Sequence, residues 1–334
     1  MTSALPFDDF RDLMQALPPI DSAAAARVRE LFAKTASPPG SLGRVEDVAV
    51  WLAEASGKAP PMINRPLVAI FAGNHGVAAH GVSPRPVEAT AKAVELCAAG
   101  GAAINPVCLA HDLGLKVFDL ALHLPTGDIT REAALDERGC AATMAFGMEA
   151  VAGGTDLLCL GDIGVGNSTV AAAILFMLYG GAAADWVGRG SAADDAMLVR
   201  KIAAADAAVA LHGAYRKDPF EVLRRVGGRE FAAIAGAIIA ARAQNVPVIV
   251  DGYAAIAALC VLHAVNPAIT AHCLLGMRPT DPGLIRATGY LELEPLLDLR
   301  LSHGEAVGAG LAAGVVRAAA LVSSGLAAAV GRPA

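Results

Sequence analysis

Gly161-Asp-Ile-Gly-Val-Gly-Asn-Ser-Thr169 is the stretch on which the reading of this chain turns. An apolar run, Asp156-Leu-Leu-Cys-Leu160, precedes it with the character of a buried strand. Val170-Ala-Ala-Ala-Ile-Leu-Phe-Met-Leu178 follows and reads as a buried helix. A glycine-rich turn from strand to helix, with hydroxyls where the helix begins, suits a phosphate-bearing ligand. Glycine lets backbone N–H groups approach an anion, and the helix N-terminus adds roughly half a positive charge. The turn is not a Walker A loop, because no Lys precedes Ser168-Thr169. Nor is it the dinucleotide fingerprint, since Thr169 stands where the third Gly would fall. The plainer alternative is a tight turn that packs a helix against its strand.

Outward from this stretch, short apolar runs alternate with longer Ala-rich helical segments. Candidate strands are Leu67–Ala72, Lys116–Leu120, Asp156–Leu160, Pro247–Asp251 and Thr270–Leu275, with a shorter one at Asp185–Gly188. Helical segments between them include Val87–Ala99, Met197–Leu211 and Arg229–Gln244. Near-continuous apolar strands separated by helices predict a parallel sheet covered on both faces. Ligands of such sheets bind at the carboxyl ends of the strands. Gly73-Asn-His-Gly76, Gly161–Thr169, Gly188-Arg-Gly190, Asp251-Gly252 and Gly276 all fall there. The first 60 or so residues read differently, as helices Phe7–Ala16 and Ser22–Lys34, a Pro/Gly turn at Ser37–Gly43, and a helix through Trp51; Glu305–Gly325 is helical too. The expected architecture is α/β: a Rossmann-like parallel-sheet domain over residues 61–300, beside a small helical subdomain formed from residues 1–60 and 301–334.

Composition narrows the function. Hydrophobic residues make up 55% of the 334, with only 4% aromatic, so the core is built of small aliphatic side chains. Mean hydropathy is +0.51, yet Asp185, Arg242, Asp251 and Arg317 interrupt the longest apolar runs, and no membrane span is expected. A net charge of −6 argues against nucleic acid or an anionic membrane as partner. The acidic N-terminus has no signal-peptide pattern, and the six cysteines form no C-x-x-C pair or zinc spacing. A cytoplasmic setting is the expectation.

Three further stretches carry candidate chemistry. Leu301-Ser-His-Gly-Glu305-Ala-Val-Gly-Ala-Gly310 puts Glu305 at a helix start, as a general base on a glycine-lined turn or as a plain complement to the helix dipole. Gly73-Asn74-His75-Gly76 offers two polar side chains to a small ligand, or an Asx-type turn. Lys201, on a helix beyond Gly188-Arg-Gly190, is either a solvated surface lysine or a phosphate contact. No G-x-S-x-G nucleophile elbow is present, nor the acidic pair and hydroxyl-rich diphosphate loop of purine-type phosphoribosyltransferases.

In order along the chain, PPGSLGRVE (38–46), FAGNHGVAAHGVS (71–83), GGAAIN (100–105), DLLCLGDIGVGNSTVAAA (156–173), VGRGSAADDAMLVRK (187–201), VGGREFAAIA (226–235), VIVDGY (248–253) and residues 294–310 resemble the nicotinate-nucleotide:dimethylbenzimidazole phosphoribosyltransferase family. The resemblance implies transfer of 5-phosphoribosyl from nicotinate mononucleotide to 5,6-dimethylbenzimidazole, with inversion at C1′. The products are α-ribazole 5′-phosphate and nicotinate, in the lower-ligand branch of cobalamin synthesis. It places the general base on Glu305 and the nucleotide site on Asp162, Gly164, Val165, Gly166, Asn167, Ser168, Thr169, Gly190 and Lys201. The acceptor pocket falls on Gly73, Asn74, His75 and Ser83. The resemblance also implies a homodimer, and neither metal nor cofactor.

The chain departs from the family's pattern in several places. Asn74 stands where Asp is frequent, and Asp162 where Glu is frequent. Ala306-Val307 replaces Gly-Ser/Thr, and Met277 and Leu284 fall at positions often held by His. These bear on the acceptor more than on the reaction type. Two alternatives stand beside the main reading: transfer to another azole, a purine or a phenol, and a catalytically weak nucleotide-binding regulatory protein.

Overall fold

The computed structural model describes residues 5–35, 38, 40–190 and 192–330. Three helices open it, α1 (Asp8–Gln15), α2 (Ser22–Ala33) and α3 (Arg44–Ser56). Then follow β1 (Pro66–Ala72), α4 (Ala89–Ala98), α5 (Ile104–His111), β2 (Gly114–Asp119), α6 (Glu137–Met148) and β3 (Leu157–Ile163). The middle of the chain holds α7 (Asn167–Tyr179), α8 (Asp195–His212), α9 (Pro219–Val226), α10 (Arg229–Ala243) and β4 (Val248–Val250). The last elements are α11 (Tyr253–Val265), β5 (Cys273–Met277), α12 (Pro282–Tyr290), β6 (Pro295–Leu297) and α13 (Val307–Val330).

The strands form one parallel sheet in the order β2-β1-β3-β4-β5-β6. Every residue of β1 and β3 is buried, as expected of strands covered on both sides. Their side chains alternate between two cores. Leu67, Ala69, Phe71, Leu158 and Leu160 face one core, with α7, α10 and α11. Val68, Ile70, Leu157 and Cys159 face the other, with α2, α3 and α13. The chain leaves β1 for β2 on one side and returns across it to β3 on the other. The switch between β1 and β3 opens a crevice at their carboxyl ends, the position where open α/β sheets bind ligands.

Three expectations are corrected. Asp185–Gly188 is no strand: Ala183–Asp185 forms a short 3-10 turn in which the Ala182 amide donates to the Asp185 carboxylate at 2.9 Å. Between Gly181 and Gly188 the chain turns so as to bury Trp186, whose Nε1 donates to the Gly180 carbonyl at 2.7 Å. The strand expected from Thr270 begins at Cys273, because Pro267–His272 winds into a 3-10 helix capped by Asn266. The edge strand β6 was not anticipated, its three half-buried residues being too few to show a period. Ser37 and Pro39 of the expected turn lie outside the described residues.

α2, α3 and α13 pack on one another, and α13 also lies along β3 to β6, so the helices from the two ends share a core with the sheet. α1 joins the opposite core through Phe7, Phe10 and Met14. Among the described residues, Val307–Ala329 is long and apolar enough to cross a membrane. Here Ala309, Ala312, Ala313, Val316 and Ala319 bury its inner face against the protein, and Arg317 bonds the carbonyl of His111.

Candidate active site

Every strand-end segment from β3 onward contributes to one cleft. Asp162–Ser168 span the end of β3 and the turn after it, Asp251–Tyr253 follow β4, Met277–Asp281 lead out of β5 and Leu301–Glu305 follow β6. Ser83, Arg85 and Thr90 close it from the β1 side, and Gly190 and Lys201 from the α8 side.

At one end, β3 runs on to Ile163, so the turn itself is only Gly164–Gly166. Gly166 takes φ +90° to cap α7, whose first-turn amides have no acceptor within the helix. The Val165 amide donates to Thr90 Oγ1 at 3.2 Å, which pins the turn. Lys201 reaches it from α8 and is 1% exposed, which removes the solvated-surface reading. Its Nζ donates to Ser168 Oγ at 3.0 Å and to the Gly188 carbonyl. Burial pushes this amine down to about 8, with Asp281 opposing. Asp281 accepts from Tyr253 O–H and, at 3.3 Å, from the Gly190 amide. A desolvated ammonium beside a helix start and a glycine turn forms an anion site.

At the other end stands Glu305, and its backbone corrects the expected helix position. Glu305 and Ala306 have φ +63° and +58°, and α13 begins only at Val307. Two consecutive left-handed non-glycine residues cost of order 1–3 kcal/mol each and persist only where their surroundings enforce them. Those surroundings are β3: the Glu305 amide donates to the Asp162 carbonyl at 3.3 Å. A Cβ on Gly161 would lie 2.4 Å from the Ala306 nitrogen. Gly161 therefore belongs to the strand, where it admits the Glu305 turn, and takes no part in the anion loop. The Glu305 side chain is 15% exposed, with Oε2 3.2 Å from His303 Nε2. That contact raises the His303 pKa above the usual histidine range, against burial.

Between the two ends lie Asp162 and Asp251. Asp162 accepts from Asn167 Nδ2 and, at 3.4 Å, from the Ala254 amide. Burial, followed by the Glu230 charge, pushes its carboxyl up to about 7. Burial pushes Asp251 up to about 6, while it accepts from the Ala309 amide at 3.2 Å and so ties β4 to α13.

Of the residues expected to act, Asp162, Gly164, Val165, Gly166, Asn167, Ser168, Gly190, Lys201, Ser83 and Glu305 line the cleft. Thr169 is fully buried on the core side of α7 and is not part of its wall. Gly73, Asn74 and His75 do not line it either. The Gly73 amide donates to the Ile163 carbonyl, Asn74 Nδ2 donates to the Leu122 carbonyl, and His75 pairs with Glu230, all behind the turn. Asp251, expected only as an acidic stop at a strand's carboxyl end, lines the cleft too; sequence reasoning did not single out Thr90, Tyr253, Asp281 or His303. Apart from Thr90 they share one signal, a polar side chain within a few residues of a strand's carboxyl end.

The fold and cleft define a class: a parallel α/β protein with one cleft that has a lysine and a helix start at one end and carboxylates at the other. The family model described as "Phosphoribosyltransferase" matches residues 17–330. Nicotinate-nucleotide–dimethylbenzimidazole phosphoribosyltransferases of Rhizobium etli and Rhizobium meliloti are each 60% identical over 325 residues, 97% of this chain and 96% of theirs. Among solved structures, CobT from Thermus thermophilus is similar, with a TM-score of 0.85 and 34% identity over 90% of this chain and 96% of that one. The chain belongs to the nicotinate-nucleotide–dimethylbenzimidazole phosphoribosyltransferase family and is a phosphoribosyltransferase.

Proposed function

We propose that this chain transfers the 5-phosphoribosyl group of nicotinate mononucleotide to 5,6-dimethylbenzimidazole, giving α-ribazole 5′-phosphate and nicotinate. The observation that carries the reading is one cleft with Lys201 and the Gly164–Ser168 turn at one end and the Glu305 carboxylate at the other. The 5′-phosphate takes the α7 start, Ser168 and Lys201, whose charge it compensates. C1′ then lies toward the carboxylates. As the C1′–N bond to the pyridine ring breaks, that nitrogen recovers its electron pair and nicotinate leaves. The acceptor's bare imidazole nitrogen forms the new bond from the opposite face, which inverts C1′. Glu305 takes the proton from the acceptor's other nitrogen, so the product ring is neutral.

Positive charge grows on the ribosyl ring along this path, and Asp162 and Asp251 are fixed carboxylates in a largely desolvated wall. Electrostatic preorganisation of this kind is frequently the largest catalytic contribution. A cationic pyridinium ribosyl group also favours their ionised forms. Ser83 remains the acceptor-side contact of this reading; Asn74 and His75 act on it only through the turn they support. A homodimer, by resemblance to the family, and a cytoplasmic setting, from the cysteine pattern and the acidic N-terminus, belong to the same proposal.

The test incubates the purified chain with nicotinate mononucleotide and dimethylbenzimidazole and separates the products by chromatography. α-Ribazole 5′-phosphate and equimolar nicotinate are expected. Nucleotide binding without product would favour the regulatory alternative, and product only with adenine or a phenol would move the acceptor class.

A further inference from the structure

Behind the Gly164 turn, outside the cleft, His75 Nε2 and Glu230 Oε1 lie 2.6 Å apart, with side chains 1% and 0% exposed. A buried carboxylate–histidine pair is poor evidence for stability, since desolvation commonly cancels the attraction. The packing around this one is shaped to admit it. A Cβ on Gly73 would sit 2.3 Å from Glu230 Oε2, and one on Gly228 2.4 Å from His75 Cε1. The segment after β1 and the start of α10 thus both lack side chains where the pair lies. Glu230 also touches the catalytic side: a Cβ on Gly164 would come within 3.0 Å of its Oε1. His75 Nδ1 and Glu230 Oε2 have no protein hydrogen-bond partner, so the pair is held by little besides itself and the turn it backs.

We propose that His75 and Glu230 are positioning residues for phosphoribosyl transfer: from behind the Gly164 turn they fix the backbone that presents Asp162 and Asn167 to the cleft. The inference rests on the transfer reading above. Asp162 is faced by Glu230 from α10 with His75 behind it, by Asp251 from the end of β4, by Tyr253 from α11, and by the Glu305 turn. Burial and Glu230 are the two leading causes that hold its carboxyl up to about 7. Removing the Glu230 charge while keeping its shape therefore makes Asp162 ionise at lower pH.

The experiment measures kcat and KM of the full chain with nicotinate mononucleotide and dimethylbenzimidazole across the neutral pH range, alongside a ¹³C-carboxyl titration in which Asp162→Asn identifies the Asp162 signal. Glu230→Gln is expected to move both the Asp162 titration and the matching limb of the rate profile to lower pH by about one unit. A folded Glu230→Gln protein with both unmoved would overturn the proposal, because a merely structural role shifts neither. His75→Gln supplies a second reading should Glu230→Gln not fold. It is expected to lower kcat about ten- to a hundredfold with little change in KM for the nucleotide, as a displaced site does; an unchanged kcat refutes the positioning role. If the unaltered chain forms no product, the transfer reading fails by itself, and the titration alone then decides whether Glu230 governs Asp162.

Discussion

Lys201→Met separates the cost of the anion site from its use. The amine is pushed from 10.5 to about 8 by burial, a gap of about 2.5 pH units. At about 1.4 kcal/mol per unit, holding it charged costs the ligand-free fold roughly 3 kcal/mol at pH 7. Methionine fills similar volume without charge. It forfeits the hydrogen bonds to Ser168 and the Gly188 carbonyl, at about 1 kcal/mol each. The balance favours the variant by about 1 kcal/mol, or roughly 2 °C in melting temperature for a chain of this size. The sign with pH follows from a lowered folded pKa. Wild-type stability grows as pH rises from 8 toward 10.5, so the variant's advantage shrinks and reverses about one unit above pH 8. Nicotinate mononucleotide behaves in the opposite way. Loss of a charged phosphate contact, worth about 1.5–3 kcal/mol, weakens binding roughly 10- to 150-fold. Scanning calorimetry between pH 7 and 9.5, with and without nucleotide, reads both effects. A variant that melts lower at every pH and still binds nucleotide normally would refute the reasoning.

Three further outcomes are expected. Glu305→Gln should lose about 10²–10⁴ in kcat while binding nucleotide as before, by single-turnover assay and calorimetry; near-normal turnover removes Glu305 as the base. Gly161→Ala should lower the melting temperature and kcat together, because its Cβ would fall 2.4 Å from the Ala306 nitrogen and displace the Glu305 turn; an active, equally stable variant would show that turn to be unconstrained. The Asp162 carboxyl is raised from 3.8 to about 7, so its contribution to stability is complete below pH 4 and is lost as pH rises through 7. Asp162→Asn should therefore gain on wild type in ligand-free melting between pH 5 and 7.5, and a constant difference across that range contradicts the shift.

The strands were legible because burial on both faces leaves an unbroken apolar run, as in Leu67–Ala72, which the structure extends by only Pro66. Where the run was shortest, the signal failed in both directions: Asp185–Gly188 is no strand, while Pro295–Leu297 pairs as an edge strand. Glycines marked where the chain turns without saying what they make room for. Gly161 reads as part of an anion loop but lies in β3 against Ala306. Gly73-Asn-His-Gly76 follows a strand end as a ligand turn would, yet its side chains point behind the site, because their partners are distant: Asn74 donates to the Leu122 carbonyl, and His75 pairs with Glu230 on α10, 155 positions away. Lys201 shows the converse: nothing local separates it from a solvated lysine, and only the packing of α8 against α7 reveals it as buried. Long-range partners of this kind leave no period or spacing in the sequence.

The central claim is that one bound nucleotide spans the cleft, its phosphate at the α7 start and its C1′ before Glu305. A crystal structure of the chain with nicotinate mononucleotide tests this most directly. The account predicts the phosphate within hydrogen-bond distance of Lys201 Nζ, Ser168 Oγ and the first-turn amides of α7, with C1′ open toward Glu305. Phosphate bound away from Lys201, or a ribosyl carbon turned away from Glu305, would contradict it.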